Sequence, residues 1–264
     1  MKTEKIIGPK EIEEILADQL ETGLAEYNRS SSSLFISSLT AGLEIGFSVF
    51  LMGIVYTLFH GQMSEAALHI ALACSYPIGF LLVVIGRSEL FTEHTNLALY
   101  PILEKKKSIL QLFQLWGTIL AGNLLGGFFI GAFLCWIGPA MNIISSEAFV
   151  HLADKMLKFD YTVILGSALL AGWLMGLLSW LLSAAKETIS RILIVIIITI
   201  VIGMGGLHHS IVGSIEIFAG LLLSPEIGWT DYLPVQLLAI LGNLIGGTFF
   251  VATLKYSHVT RADV

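Results

Sequence analysis

His208 and His209 stand side by side in the run Gly203-Met204-Gly205-Gly206-Leu207-His208-His209-Ser210, with long apolar sequence on both sides. Imidazole is the side chain whose unperturbed charge changes near neutral pH, and an ionisable group inside an apolar stretch costs enough to read as functional. His209, in a glycine-rich interruption, is therefore the first candidate for acting on a polar solute; His208 is the second, pointing a different way on any regular backbone. A matching interruption, Gly86-Arg87-Ser88-Glu89-Leu90-Phe91-Thr92-Glu93-His94, follows the apolar run ending at Ile85 and offers the hydroxyl of Thr92. Two further acids, Glu44 and Glu216, lie in apolar surroundings where each needs a partner. Arg87 with Glu44, Glu89 or Glu216, beside His208, is the expected buried charge network, either fixing helix register or relaying protons or anions. No metal-ligand spacing such as His-Glu-x-x-His accompanies these groups, so no metal and no cofactor is expected.

The elements that must position them follow from composition. The chain has 264 residues, of which 55% are hydrophobic and 13% charged, with a formal net charge of −6; an ordinary soluble domain carries roughly 25% charged residues. Together with a mean hydropathy of +0.83, this excludes a soluble enzyme, a disordered protein and a nucleic-acid binder. Six apolar stretches, at 33–59, 68–91, 109–137, 161–184, 192–223 and 232–254, are each long enough to cross a ~30 Å hydrocarbon core as a helix. One all-α polytopic membrane domain is expected over 31–256, after an N-terminal segment (1–30) and before a short tail (257–264). In residues 10–28, Ile12, Ile15, Leu16, Leu20 and Leu24 recur at helical spacing between acids, predicting an amphipathic helix. The Ser30 to Ser33 run is expected to end it. Residues 1–30 lack a cleavable leader pattern.

Basic residues set the orientation, because positive loops resist translocation. Lys2, Lys5, Lys10 and Arg29, Lys105 to Lys107, Lys186 and Arg191, and Lys255 and Arg261 fall on one side, against only Lys155 and Lys158 on the other. Both termini are thus expected in the cytoplasm. Ala121-Gly122-Asn123-Leu124-Leu125-Gly126-Gly127 in span three returns in span six as Leu241-Gly242-Asn243-Leu244-Ile245-Gly246-Gly247, about 120 residues later, and the two interruptions share that offset. Ala41-Gly42 in span one pairs likewise with Ala171-Gly172 in span four. Three spans per half force the second half upside down, an inverted 3+3 repeat with helices 2 and 5 broken at the midplane, where a permeation site is expected.

The run Arg87-Ser88-Glu89-Leu90-Phe91-Thr92 resembles the first signature of the formate/nitrite transporter family, and Gly206-Leu207-His208-His209-Ser210-Ile211 resembles its second, with the central histidine at His209. Ala41-Gly42, Gly122-Asn123 and Gly242-Asn243 are also similar, so the resemblance covers roughly residues 30 to 255. It implies an aquaporin-like six-helix protomer, a homopentamer in the cytoplasmic (inner) membrane of a prokaryote, and passage of small monovalent anions such as formate, nitrite or hydrosulfide. By the same resemblance Leu90, Phe91 and Thr92 belong to the loop breaking helix 2. Leu90 would form one apolar constriction with Met175 and Ile202, and Tyr76 and Phe80 the other, cytoplasmic one. Lys155 lies near a basic residue that would attract anions at the outer vestibule, and Ser210 follows the central histidine. The chain departs from the family pattern at Arg87, Gly172, His208 and Gly213.

Moving a bare carboxylate through an apolar constriction costs tens of kcal/mol by Born estimates. Protonating a weak acid costs only about 1.4 kcal/mol per unit between pH and pKa. An anion channel or proton-coupled transporter with His209 as donor between two constrictions is the expected function, with the anion, protons and lipid as partners. Lys105 to Lys107 would gather anions from inside. The alternative is an aquaporin-like pore for water, ammonia or a small polyol. Such pores lean on paired asparagines in the half-helix breaks, which neither break offers.

Overall fold

The computed structural model describes residues 10–262, leaving Lys2 and Lys5 outside, and over that range the chain is helical with connecting turns. Helix α1 (Ile12–Tyr27) is followed by α2 (Ser31–Phe59), α3 (Glu65–Ser75), α4 (Pro77–Gly86), α5 (Phe91–Leu97), α6 (Tyr100–Leu103) and α7 (Ile109–Ala140). Then come α8 (Ser146–Leu157), α9 (Tyr161–Ala184), α10 (Thr188–Gly205), α11 (Ser210–Leu223) and α12 (Trp229–Ile245). A π-helical stretch, Gly246–Thr253, joins α12 to α13 (Leu254–Ala262), so the last apolar helix runs past the expected end of span six. Six segments are long and apolar enough to cross a membrane: α2, α3 with α4, α7, α9, α10, and α12 with its continuation.

Serine hydroxyls start four of these helices. Ser30, Ser64, Ser108 and Ser145 each accept a hydrogen bond from a backbone N–H in the following turn, filling an otherwise orphaned donor. The serine run is thus less the end of α1 than the beginning of α2. Pro77 kinks the helix between α3 and α4, and there the Ser48 hydroxyl donates to the Tyr76 carbonyl (2.6 Å) and accepts from Gly79 N–H (3.0 Å). Helix α1 buries Ile15, Gln19 and Gly23 as its central stripe, with Ile12, Leu16 and Leu20 partly covered beside them. Gln19 Nε2 donates to the Ser179 carbonyl at 3.0 Å, docking α1 on α9.

Among the close backbone approaches, two correspond between the halves. A Cβ on Gly42 would lie 2.3 Å from the Asn123 carbonyl oxygen, joining α2 to α7, and one on Gly172 would lie 2.3 Å from the Asn243 carbonyl oxygen, joining α9 to α12. Small residues let helices pack in lipid without a hydrophobic drive, so the glycine at 172 is what this contact requires. The outward faces are apolar, with Phe113, Phe129, Phe133 and Trp136 exposed along α7 and Ile197 and Val201 along α10, as expected of helices that are apolar all round. Cys135 Sγ lies 3.6 Å from the Ala219 carbonyl, whereas Cys74 in α3 is exposed.

Helix α10 has 18 residues, about 27 Å at 1.5 Å per residue, nearly a full hydrocarbon core. The chain turns after α4 and after α10 and folds back toward the bundle interior. Gly206 (φ 56°) caps α10 and Arg87 (φ 60°) caps α4, both in the left-handed region. The residues after each turn, Leu90 to Thr92 and His208 to Ser210, are buried.

Candidate functional site

Each returning loop is held by one asparagine. Asn123 Oδ1 accepts from Phe91 N–H (2.7 Å), while its Nδ2 donates to the carbonyls of Ser38 (2.7 Å) and Glu89 (2.8 Å). Asn243 Oδ1 accepts from Ser210 N–H (2.8 Å), and its Nδ2 donates to the carbonyls of Ala168 (2.8 Å) and His208 (3.0 Å). A full set of partners in low dielectric makes such a clamp rigid. It leaves the first residues of α5 and α11 facing each other.

Where they meet, His209 Nε2 lies 2.8 Å from Thr92 Oγ1, both side chains being fully buried. His209 is the N-cap of α11, and its Nδ1 accepts from Ile211 N–H and Val212 N–H, each at 3.3 Å. That assigns the hydrogen to Nε2, which donates to Thr92 and leaves the threonine hydroxyl hydrogen free for a solute. The Ser210 hydroxyl beside it is buried without a hydrogen-bond partner among the described residues. Apolar groups close around this polar pair. Phe80 meets the His209 ring edge-on at 5.1 Å between centroids and stacks on Tyr76 at 5.3 Å. Leu90, Phe91, Met175 and Ile202 belong to the same buried cluster.

Two cavities flank the cluster. One, of about 210 Å³ on the α8 side, is lined by Tyr76, Ile202, His69, Lys155, Lys158 and Glu216, among others. This corrects the expected grouping: Tyr76 lies with Ile202 on the side of Lys155, not with a constriction at the other end. The reason is chain direction, since α3 descends from the α8 side and Tyr76 lies at its foot. Burial lowers the Lys155 ammonium from its ordinary pKa, Glu216 opposing and Lys158 adding to the effect. His151, on the same helix, is also lowered, by burial and then by the charges of Lys155 and His60. His208 does not line this cavity. Its Nε2 donates to the Met156 carbonyl (2.9 Å), its Nδ1 accepts from Ser167 Oγ (2.9 Å), and it thereby ties the second loop to α8 and α9.

The second cavity, of about 520 Å³, lies on the α1 side and is lined by Arg29, Arg87, Arg191, Glu26, Glu89 and Glu93, among others. The expected network around Arg87 is absent. Arg87, the left-handed cap of α4, is exposed and forms no ion pair among the described residues, although it shares the lining of this cavity with Glu89. Glu89 pairs instead with Arg29 and with His94, whose Nε2 donates to Glu89 Oε2 (2.8 Å) and whose Nδ1 donates to the Leu90 carbonyl (3.0 Å). Arg29 also reaches Glu26 at 3.0 Å. Glu44 lies against Ser88 and Gly86, one carboxylate oxygen lacking a hydrogen-bond partner, and Glu216 faces Lys155. Lys107 is taken up by Asn28 (3.3 Å) and the Tyr27 ring, and none of Lys105 to Lys107 lines the cavity.

Glu26, Glu89 and His94 bring their ligand atoms within 4.8 Å of one another. Their acceptors already serve Arg29 and the His94 N–H, so a cation would have to displace a guanidinium. Sequence reading missed Arg29 and His94. Arg29 sits outside the apolar stretches, and only the fold brings it under the first loop.

The fold and this paired-loop site define a membrane protein with two broken helices whose starts meet in a buried polar contact. The profile described as formate/nitrite transporter matches residues 13–257, and the chain belongs to that family. It is 31% identical over 242 residues to the inner membrane protein YfdC of Escherichia coli, covering 90% of this chain and 76% of that one. A probable formate transporter of Methanothermobacter thermautotrophicus is 26% identical, with 84% of this chain and 87% of that one covered. Among solved structures, an FNT family ion channel superposes with a TM-score of 0.79 at 21% identity, over 94% of this chain and 98% of that chain. A pentameric formate channel with formate bound gives 0.73 at 18%, over 87% and 98%.

Proposed function

We propose that this protein carries small monovalent weak-acid anions, of the formate, nitrite or hydrosulfide class, across a prokaryotic inner membrane. The observation that carries the reading is the buried His209–Thr92 contact, set between two cavities and ringed by apolar side chains. A charged carboxylate would lose tens of kcal/mol of hydration in such a ring, by Born estimates, whereas its neutral acid would not. The solute therefore crosses protonated. His209 Nε2–H, the Thr92 hydroxyl and the Ser210 hydroxyl supply hydrogen bonds to its oxygens or sulfur as it passes Phe80, Leu90, Phe91 and Met175. Tyr76 and Ile202 close the pathway toward the α8 side, where Lys155 collects anions. The functional unit is residues 31–256, built as two inverted halves and assembled as a homopentamer, with the α1 side, the N-terminal segment (1–30) and the tail (257–264) cytoplasmic.

Transport rather than catalysis fits a family of transporters and a polar centre that is one narrow contact. Asn123 of α7 and Asn243 of α12 hold the two breaks from outside as backbone clamps, which speaks against their acting as a water-selecting pair. Proteoliposomes measured for formate, nitrite and hydrosulfide uptake at outside pH 5.5 to 8 test the reading. Uptake of at least one anion should rise as pH falls and drop at least tenfold in His209→Asn. Movement of water or ammonia with no anion flux, or an unchanged flux in the variant, overturns it.

A further inference from the structure

Passage as the neutral acid requires a proton before the apolar ring, and the groups around His209 are poorly arranged to give one. Nδ1 of His209 already faces two backbone N–H donors, so a second ring proton would point N–H at N–H. His208 uses both ring nitrogens, and His69 Nε2 is occupied by the Met204 carbonyl at 2.8 Å. A lysine that gave up its proton would lose the charge that holds the anion.

Glu216 is differently placed. It lies in the second turn of α11, 5% exposed, and is the one carboxyl among the residues lining the α8-side cavity. Among the described residues it has no hydrogen bond and no ion pair within 4 Å, yet it acts electrostatically on Lys155 and on Tyr76. Tyr76 in turn begins the stack through Phe80 to His209. Glu216 thus lies between the lysines of the cavity and the first ring of the constriction.

We propose, resting on the transport reading above, that Glu216 is the proton-carrying group of the α8-side cavity. In its carboxylic acid form the cavity lining holds Lys155 and Lys158 with no carboxylate among them and accepts one anion. The Glu216 O–H bond then breaks and an O–H or S–H bond forms on the solute, which leaves as the neutral acid past Tyr76. The Glu216 carboxylate remains beside Lys155 and takes its next proton from water on the α8 side. Anion and proton enter together because each favours the other at the same cavity. The charged and titratable groups facing this step are Lys155 and Lys158 from α8, His69 and Tyr76 from the α3 segment, and Glu65, which acts on Lys155. From α12, Tyr232 bonds Ser214 on the neighbouring turn of α11.

The test is formate uptake and coupled proton movement in proteoliposomes at outside pH 5.5 to 8, for the unmodified protein, Glu216→Gln and Glu216→Asp. Nitrate, the anion of a strong acid, serves as the control solute. We expect Glu216→Gln to lose the rise of formate uptake at low pH, falling at least fivefold at pH 5.5, and to lose proton co-movement. Glu216→Asp should retain both with a shifted midpoint, and nitrate flux should not respond to either substitution. A Gln variant of unchanged oligomeric size that keeps the full pH profile and proton coupling overturns the proposal. So does an Asp variant without any midpoint shift, should the Gln variant fail to fold. An unmodified protein that moves no weak-acid anion at any pH overturns the transport reading and this proposal with it, which separates the two failures.

Discussion

The two returning loops are held alike and furnished differently. Asn123 and Asn243 make the same three kinds of hydrogen bond, and Gly42 and Gly172 admit the asparagine carbonyls at the same distance. Around the first loop the partners are ions, with Glu89 between Arg29 and His94 and Arg29 reaching Glu26. Around the second they are neutral, His208 between Ser167 and the Met156 carbonyl. The common part is backbone support for a broken helix, which any loop at that depth needs. The differing part records what each loop is attached to: α1 on one side, α8 on the other.

That comparison can be broken at the close approaches. Gly42→Ala and Gly172→Ala each drive a methyl into a backbone carbonyl, and overpacking of this kind costs about 1–3 kcal/mol or more. Both variants should lose most folded protein, read as the monodisperse fraction on size exclusion and as the thermal midpoint in detergent. Sensitivity in one half alone would mean that the two supports are not equivalent.

A smaller effect sharpens the contrast between ionic and neutral attachment. Arg29→Gln removes one of two charged partners from a nearly buried carboxylate, at a cost of about 1–3 kcal/mol after allowance for its partial exposure. Ser167→Ala removes a neutral partner, at about 1 kcal/mol. Raising salt should narrow the gap between Arg29→Gln and the unmodified protein and leave Ser167→Ala unchanged, because exposed charges are screened. Equal salt response in both variants would contradict the contrast.

The smallest effect lies on α8. Burial and then Lys155 and His60 hold His151 below its ordinary pKa, which is about 6.5. On acidification the unfolded chain therefore takes up this proton first. Stability is lost as pH falls below about 6.5 and regained above it. In His151→Gln the drop in thermal midpoint between pH 7.5 and 5.5 should shrink; an equal drop would assign the acid sensitivity elsewhere.

Much of this was legible in the residues. Six crossings follow from apolar length, and the breaks from glycine clusters placed at one offset. His209 and Thr92 were nameable as site residues because a polar group in such a run has few other uses. The partner of Glu89 was not legible. Arg87 is its near neighbour in sequence, but it caps α4 in the left-handed region and makes no ion pair with Glu89. Arg29, far off in the chain, takes its place. Tyr76 lies on the Lys155 side of the apolar cluster, against expectation, for a related cause: its place follows from where a kinked helix enters, and Pro77 with Ser48 sets that.

The sequence by itself determined the class of molecule, since apolar runs of this length leave a helix across the bilayer as the way to satisfy their backbones. It also determined which residue types stand at the breaks. Only the tertiary structure decided how those residues pair. Hydrogen bonds and ion pairs depend on distances of a few ångströms between segments far apart in the chain, and those distances arise from packing. His209 meets Thr92 because two asparagine clamps, each reaching across three segments, turn the loops back until the helix starts face each other.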